Sequence, residues 1–415
     1  MLGWKKGYNP SSKFDTEAYL NLYPDVKELD VSPLVHYIKH GKKEGRSCIS
    51  CIHKPEFYNT KNVSDRRYKR NILLVSHMLN HTGAPVLLKQ VAELLNKKRY
   101  KVTVLSPKDG DLRDEILQVG ADVIIDPNAF AKEQDCEYLK KYNFAFCICN
   151  TYINALIYSY LSKFIPSILW IHDNLNEKTA NLIMPVLSTS KDIYAASKLT
   201  KSYMTPYNKN IKILTYPAND VVGNIRKCNA DGHKPRIAVC AALQPRKGQD
   251  IFIEAVKKLP ENIRKNAEFL LLGEESQVGY KEVLENMCQD VPEIKFVDAI
   301  KTPAEYHNFI DGLDILCCPS REDPCPLVVL DAFMHGVPVI VSDHVGQKDI
   351  IHNKKDGYIF KNEDIDELSQ ILNHLIVSKE YLLLRTKSRA IFDRNFSDKT
   401  FLNDLFKIME EKCAI

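Results

Sequence analysis

Two strings in this chain hold residues that can do chemistry together. In the first, ALQPRKGQD, Arg246 and Lys247 follow a short apolar run and stand beside Gly248, which lets the backbone turn tightly. Two adjacent cations on such a loop suit a diphosphate, whose charge must be offset as it departs. In the second, PSREDPCPLVVLDAFMHGVPVIVSD, a strand end at Pro319-Ser320 leads through a loop to a helix beginning near Pro326. Free amides at Leu327 and Val328 point at an anion there, assisted by the helix dipole. Asp323 lies in the loop, and Asp331 follows eight positions later inside the helix. Carboxylates are good acceptors for the hydroxyls of a sugar and of a ribose. Gly336 caps this helix and Pro338 stops it re-forming. Each string alone has a plainer reading: an RKG triplet is commonly just solvated, and the two acids can be a buried cap and a helix residue.

Other candidates lie upstream. After the run NILLVSH comes MLNHTGAPVLL, where Gly83 permits close backbone approach at a helix start and Pro85 stands near the first helical position. SILWIHDNL places His172 just past a strand end, and FAFCICNT places Asn150 similarly. A lone His or Asn in such a place is often structural. Two DxD strings, Asp109–Asp111 and Asp364–Asp366, have the spacing of a divalent-metal pair, but one is a strand-to-helix loop and the other precedes a helical pattern. Acids favour a first helical turn, so both read as turn and cap residues and no metal site is expected.

The elements that position these residues follow from periodicity. Short apolar strands alternate with helical patterns from Lys69 onward: NILLVSH, KVTVLSP, ADVIID, FAFCICNT, SILWIHD and DIYAAS. The alternation restarts with RIAVCAAL, EFLLLG, IKFVDA, LDILCCPS and VPVIVSD. That pattern predicts two α/β units, each a doubly wound parallel sheet covered on both faces. Ligands in such sheets bind outside the carboxyl ends of strands, so the expected site is the cleft between the units. The expected boundaries are a helical module over 1–57, a first Rossmann-like unit over 69–220, a second over 234–397, and a last helix over 398–415 that could pack back on the first unit. A polar stretch over 58–70, with four Arg or Lys after Asp65, reads as a solvated linker.

Composition narrows the class. The chain has 415 residues, 45% hydrophobic and 27% charged, with a formal charge of +4 and no block of like charge. No nucleic-acid arm is visible. The best apolar run, 153–170, is broken by Lys163 and Pro166 and is no bilayer span. The N-terminal string lacks the apolar core of a signal peptide, so a cytoplasmic location is expected. Several of the twelve cysteines, among them Cys147, Cys149, Cys240, Cys317 and Cys318, lie inside strand-like runs and read as small buried hydrophobes. Cys48 and Cys51 form a CxxC with no second pair nearby, which reads as a turn rather than a zinc site.

Taken with their spacing, these motifs resemble the retaining GT-B enzymes of glycosyltransferase family 4. The likeness lies in an acid pair at this spacing, then Ala332 and Gly336-Val337-Pro338-Val339. The resemblance implies a nucleoside diphosphate sugar as donor, UDP- or GDP-linked, and a glycan or lipid-linked glycan acceptor. It implies no required cofactor and admits a peripheral membrane contact. By the same resemblance Asp323 contacts the donor sugar, Asp331 the ribose, and Arg246 and Lys247 the diphosphate. The segment Cys325, Pro326, Leu327 and Val328 holds sugar and phosphates, Gly83 faces the phosphates and acceptor, and His172 lies near the scissile bond. Two departures matter. Both acids are Asp where the family has Glu, and Cys325-Pro326 replaces Phe-Gly, so one amide donor is lost at Pro326. Altered sugar specificity is the reading preferred here. A nucleotide-sugar epimerase or hydrolase, and a non-catalytic nucleotide-sugar-binding protein, are the alternatives. Residues 14–46 also resemble a small helical module fused to such enzymes, through YL, PDV, PL, HY and EGR.

Overall fold

A computed structural model describes Trp4 and residues 14–29, 31–46, 54–60, 68–226, 233–298, 300 and 302–413. The Cys48–Cys51 pair lies outside the described residues.

The first sheet comprises β1 (Glu56–Tyr58), β2 (Asn71–Val75), β3 (Lys101–Ser106), β4 (Asp122–Ile125), β5 (Phe144–Asn150), β6 (Ser167–Ile171), β7 (Ile193–Ala195) and β8 (Lys212–Ile213). Its order is β1-β4-β3-β2-β5-β6-β7-β8, parallel except for β1, which pairs antiparallel with β4. The second sheet comprises β9 (Arg236–Cys240), β10 (Glu268–Leu272), β11 (Ile294–Val297), β12 (Ile315–Cys318), β13 (Val339–Ser342) and β14 (Tyr358–Phe360). It is parallel, in the order β11-β10-β9-β12-β13-β14. Strands such as NILLV and ILCC are buried along nearly their whole length because helices cover both faces. The order reverses at β2/β5 in one sheet and at β9/β12 in the other. These switch points open the crevices in which open α/β sheets take ligands.

Three segments were not marked by periodicity. Glu56–Tyr58 carries no inward–outward alternation, yet it forms the edge strand of the first sheet rather than part of the helical module. β8 is two residues long, too short for a pattern. β14 is a short strand that parallel pairing with β13 holds in place.

The chain returns to the first sheet at its end. The helix Asp398–Cys413 lays Phe401 on Trp170, with ring centroids 5.7 Å apart, and Phe406 on Tyr100 at 5.5 Å. Phe401 and Trp170 are fully buried, and each contributes about 2–3 kcal/mol by its burial. The Ala218 amide donates to the Phe396 carbonyl at 2.8 Å, and Arg389 pairs with Asp220. The inter-unit connection is thereby fixed against the last two helices.

Residues 14–46 build a separate small core of Phe14, Tyr19 and Val26. Pro24 and Pro33 each open a short helix, and Gly45 takes a left-handed φ of +69° at the end. Arg46 ties the end back to the start through one guanidinium nitrogen, Nη1, set on both carboxylate oxygens of Asp25 at 2.8 and 3.0 Å. No helix among the described residues is long and apolar enough to cross a membrane.

Candidate active site

Both strings from the second unit end at its switch point. After β9 the chain makes a single 3-10 turn, Pro245–Lys247, and Gly248 follows with φ +71°. A side chain at Gly248 would place its Cβ 2.0 Å from the Pro319 carbonyl oxygen, so glycine is required for shape and for contact. Arg321, on the facing loop, pins this turn. Its guanidinium donates to the Pro245 carbonyl at 2.5 Å and forks onto Asp250 at 2.9 and 2.7 Å. The result is a rigid platform for two cations. Lys247 Nζ stands 2.5 Å from Asp323 Oδ2, with both side chains largely buried. Arg246 is exposed and donates to the Glu322 carbonyl at 2.7 Å.

The loop after β12 ends at Pro326, which occupies the N-cap of the helix Leu327–Met334. Pro326 offers no capping side chain, so the first-turn amides keep their donors directed out of the helix. Leu327 is 41% exposed, which places that helix start at the cleft surface. Asp331 accepts a hydrogen bond from Tyr306 at 2.8 Å. Burial pushes its carboxyl up to about 6, and the Tyr306 hydroxyl only partly offsets that. Behind the loop, Gln347 donates to Cys325 Sγ at 3.3 Å and to the Pro326 carbonyl at 3.0 Å.

The first unit supplies the opposite wall. Gly83 is the first residue of the helix Gly83–Lys97, whose N-cap, Thr82, makes no side-chain cap. Its φ is not left-handed, and a Cβ there would meet only open space. The chain itself therefore does not require glycine at this position. His172 follows β6 and is 7% exposed. Its Nε2 is hydrogen-bonded to Asn150 Oδ1, and its ring packs on Trp170 and Tyr216 at 4.6 and 5.1 Å. Burial, with some help from nearby His77, lowers its pKa to about 3, so the ring is neutral. Burial holds the Tyr216 hydroxyl well above its usual range, and Cys325, Asp173 and Asp323 raise it further. The Tyr216 ring itself packs on His172 and Trp170.

Arg246, Lys247, Asp323 and the start of Leu327–Met334 therefore share one platform, with Asp331 one helical step behind it. His172, after β6, and Gly83, after β2, stand at the switch-point end of the first sheet. Tyr216, Tyr306, Arg321 and Gln347 carry no local sequence signal, because each acts on a partner far away in the chain. The first acid of each DxD string is engaged locally. Asp364 caps its helix through the Glu367 amide at 2.9 Å, and Asp109 pairs with Arg113. A cavity of about 980 Å³ lies outside this cleft, between Tyr152–Lys163 and Leu182–Asp192, and touches none of these candidates.

The model of the glycosyl transferases group 1 family matches residues 223–394, and that of glycosyl-transferase family 4 matches residues 68–224. The chain belongs to the family 4, group 1 glycosyltransferases. A sulfoquinovosyl transferase of Arabidopsis thaliana is 23% identical over 237 residues, 56% of this chain and 44% of that protein. Protein CapJ of Staphylococcus aureus is 25% identical over 219 residues, 51% and 54% of the two chains. The match thus spans about half the length of these relatives. A structure of Anabaena HepE in complex with UDP-glucose superposes with a TM-score of 0.67 at 16% identity, covering 82% of this chain and all of that one. At that identity the likeness shows the GT-B fold: two facing Rossmann-like sheets, with the helical residues 14–46 appended to the glycosyltransferase body.

Proposed function

We propose that the protein transfers a sugar from a UDP- or GDP-linked donor to a hydroxyl of a glycan acceptor, with retention of anomeric configuration. The observation that carries this reading is the convergence of Lys247 and Asp323, 2.5 Å apart, at the start of the helix Leu327–Met334. In this proposal Lys247, Arg246 and the amides of Leu327 and Val328 hold the diphosphate and offset its growing charge. Asp323 accepts a donor-sugar hydroxyl, and Asp331 accepts from the ribose. The open helix start at Gly83 approaches the phosphates from the other unit. Asp323 is engaged by Lys247, and His172 is neutral, buried and held by Asn150. Neither is disposed as a free nucleophile, which favours a same-face substitution assisted by the leaving phosphate. The two departures from the family pattern, Asp for Glu and Cys325-Pro326, bear on which sugar is taken.

A thermal-shift screen against UDP-, GDP-, ADP- and TDP-sugars is the first test. A donor at 100 times its Kd stabilises the native state by about 2.7 kcal/mol. The responding donor is then given with an acceptor panel. Transfer supports the proposal, and an α product from an α donor supports retention. Free isomerised or hydrolysed sugar from donor alone would favour the epimerase or hydrolase reading. Binding with no transfer to any acceptor would favour a binding protein.

A pH dependence follows from Asp331. Its carboxyl must be ionised to accept two ribose hydroxyls fully, and it ionises at about 6. Donor affinity is expected to rise between pH 5 and 7 and then level off (about one unit either side of that value). Asp331→Asn should bind more weakly and lose the slope; titration calorimetry across that range reads both. Unliganded stability runs the other way. A carboxyl whose folded pKa is raised stabilises most below the ordinary carboxylate range, and that contribution is lost as pH rises through about 6.

A further inference from the structure

The Asn150 side chain joins two parts of the first wall. Its Nδ2 lies 2.7 Å from the Ala84 carbonyl, at the start of the helix whose open end is Gly83. A carbonyl oxygen can only accept, so the amide nitrogen must face it, and Oδ1 must face His172. Oδ1 has no proton to give, so Nε2 of His172 must carry one. In a neutral imidazole the other nitrogen is then a bare acceptor. That nitrogen, Nδ1, is buried and has no partner among the described residues. A buried acceptor at the carboxyl end of a central strand is left for a donor from outside the chain, a water or a ligand hydroxyl.

The residue itself is held firmly. Thr151, the next residue, takes φ +73°, a conformation that a β-branched side chain rarely adopts. The Thr151 amide donates to the Trp170 carbonyl at 2.7 Å, two residues before His172. Asn154 donates to the Asn150 carbonyl at 2.6 Å and to the Val75 carbonyl at 3.2 Å. Strain of this kind persists where surrounding bonds over-determine the backbone, and it gathers at functional positions.

We propose that Asn150 is a positioning residue that locks His172 in the Nε2–H tautomer, so that Nδ1 accepts a hydroxyl of the sugar or acceptor and disfavours a carboxylate at that point. The substrate part of this rests on the transferase reading above; the tautomer part does not. The specificity follows from the lone pair on Nδ1: a hydroxyl can donate to it, whereas a carboxylate, as in a uronic acid, would meet it with like partial charge. The titratable groups around the ring are His77 on the loop after β2, Asp173 beside it in the chain, and Tyr216 after β8.

Two measurements test this. Histidine ¹⁵N spectra of the unliganded full-length protein, with His172 assigned by difference from His172→Gln, should show a pyridine-like Nδ1 and a protonated Nε2 from pH 5 to 8. A protonated Nδ1 in that range overturns the proposal whatever the protein transfers. The second is Asn150→Asp, which keeps an acceptor for Nε2 but sets a negative charge beside the ring and so favours the doubly protonated form. At saturating donor, kcat should fall roughly 10- to 100-fold near pH 6 and recover as pH rises. The wild type should lack that limb, because the Asp331 dependence acts on donor binding. A variant with lowered melting temperature but wild-type kcat at every pH would show a merely structural role and overturn the proposal.

Discussion

Replacing Lys247 by Ala is expected to lower kcat by about 10²- to 10³-fold, the usual loss when one preorganised charge-stabilising donor is removed. The lysine is not a loose surface cation. Its side chain is 16% exposed, its amine is 2.5 Å from Asp323, and the turn that carries it is pinned by Arg321. It stands ready where a departing diphosphate would need charge, without reorganising. Removal also has a structural cost, because Asp323, 8% exposed at its side chain, loses its counter-ion. Breaking a buried pair by deleting one partner destabilises by about 3–5 kcal/mol. The two effects separate in a double variant. Lys247→Met with Asp323→Asn removes the stranded charge and should recover most of the stability, which reads the structural cost by itself. Its turnover stays low because Asp323 is also the proposed contact to the donor, so the loss of kcat is read from Lys247→Ala. Arg246→Ala should cost less, since Arg246 is exposed and its bond goes to the Glu322 carbonyl. Steady-state kcat at saturating donor and urea denaturation read both quantities. Unchanged turnover in Lys247→Ala would remove the phosphate role from this residue.

What could be read from the sequence, and what could not, divides by sequence distance. Runs such as NILLV, FAFCICN and VIVS announce buried parallel strands because burial on both faces leaves an unbroken apolar string. The helix start at Leu327 is legible because proline and apolar residues mark it locally. The Asp323–Asp331 spacing is legible for the same reason. The partners of those acids are not. Lys247 is 76 residues from Asp323 and Tyr306 is 25 from Asp331, and neither separation repeats along a helix or strand. Arg321 reads as one more charged loop residue until its fork onto Asp250, 71 positions away, is seen. Tyr216 lies in a segment with no pattern at all. Its position follows from the last helices, which hold residues 215–220 from across the fold. Edge strand Glu56–Tyr58 leaves no mark in the pattern because an edge with exposed residues needs no apolar alternation.

Gly346→Val should damage both stability and turnover, although Gly346 belongs to no motif. Its φ is not left-handed, so a turn does not demand glycine here; contact does. A Cβ at this position would lie 1.7 Å from the Pro324 carbonyl oxygen and 2.8 Å from Ser197 Oγ. The first neighbour is backbone, which cannot swing aside as a side chain can. The Gly346 amide also donates to the Asp323 carbonyl at 2.9 Å, so the residue sets the height of the loop that carries Asp323. Insertion of bulk must push Pro324 outward and carry Asp323 and Pro326 with it. Overpacking of this kind costs about 1–3 kcal/mol, with backbone displacement placing it at the upper end. A shift near 1 Å in a residue that contacts substrate costs about 100-fold in rate. A second substitution isolates the cause. Ser197→Gly in the Gly346→Val background relieves the contact with the first unit but leaves the Pro324 carbonyl where it was, so it should restore little. Recovery of kcat by Ser197→Gly would instead mean that Gly346 matters for how closely the two units approach, with the Asp323 loop left undisturbed.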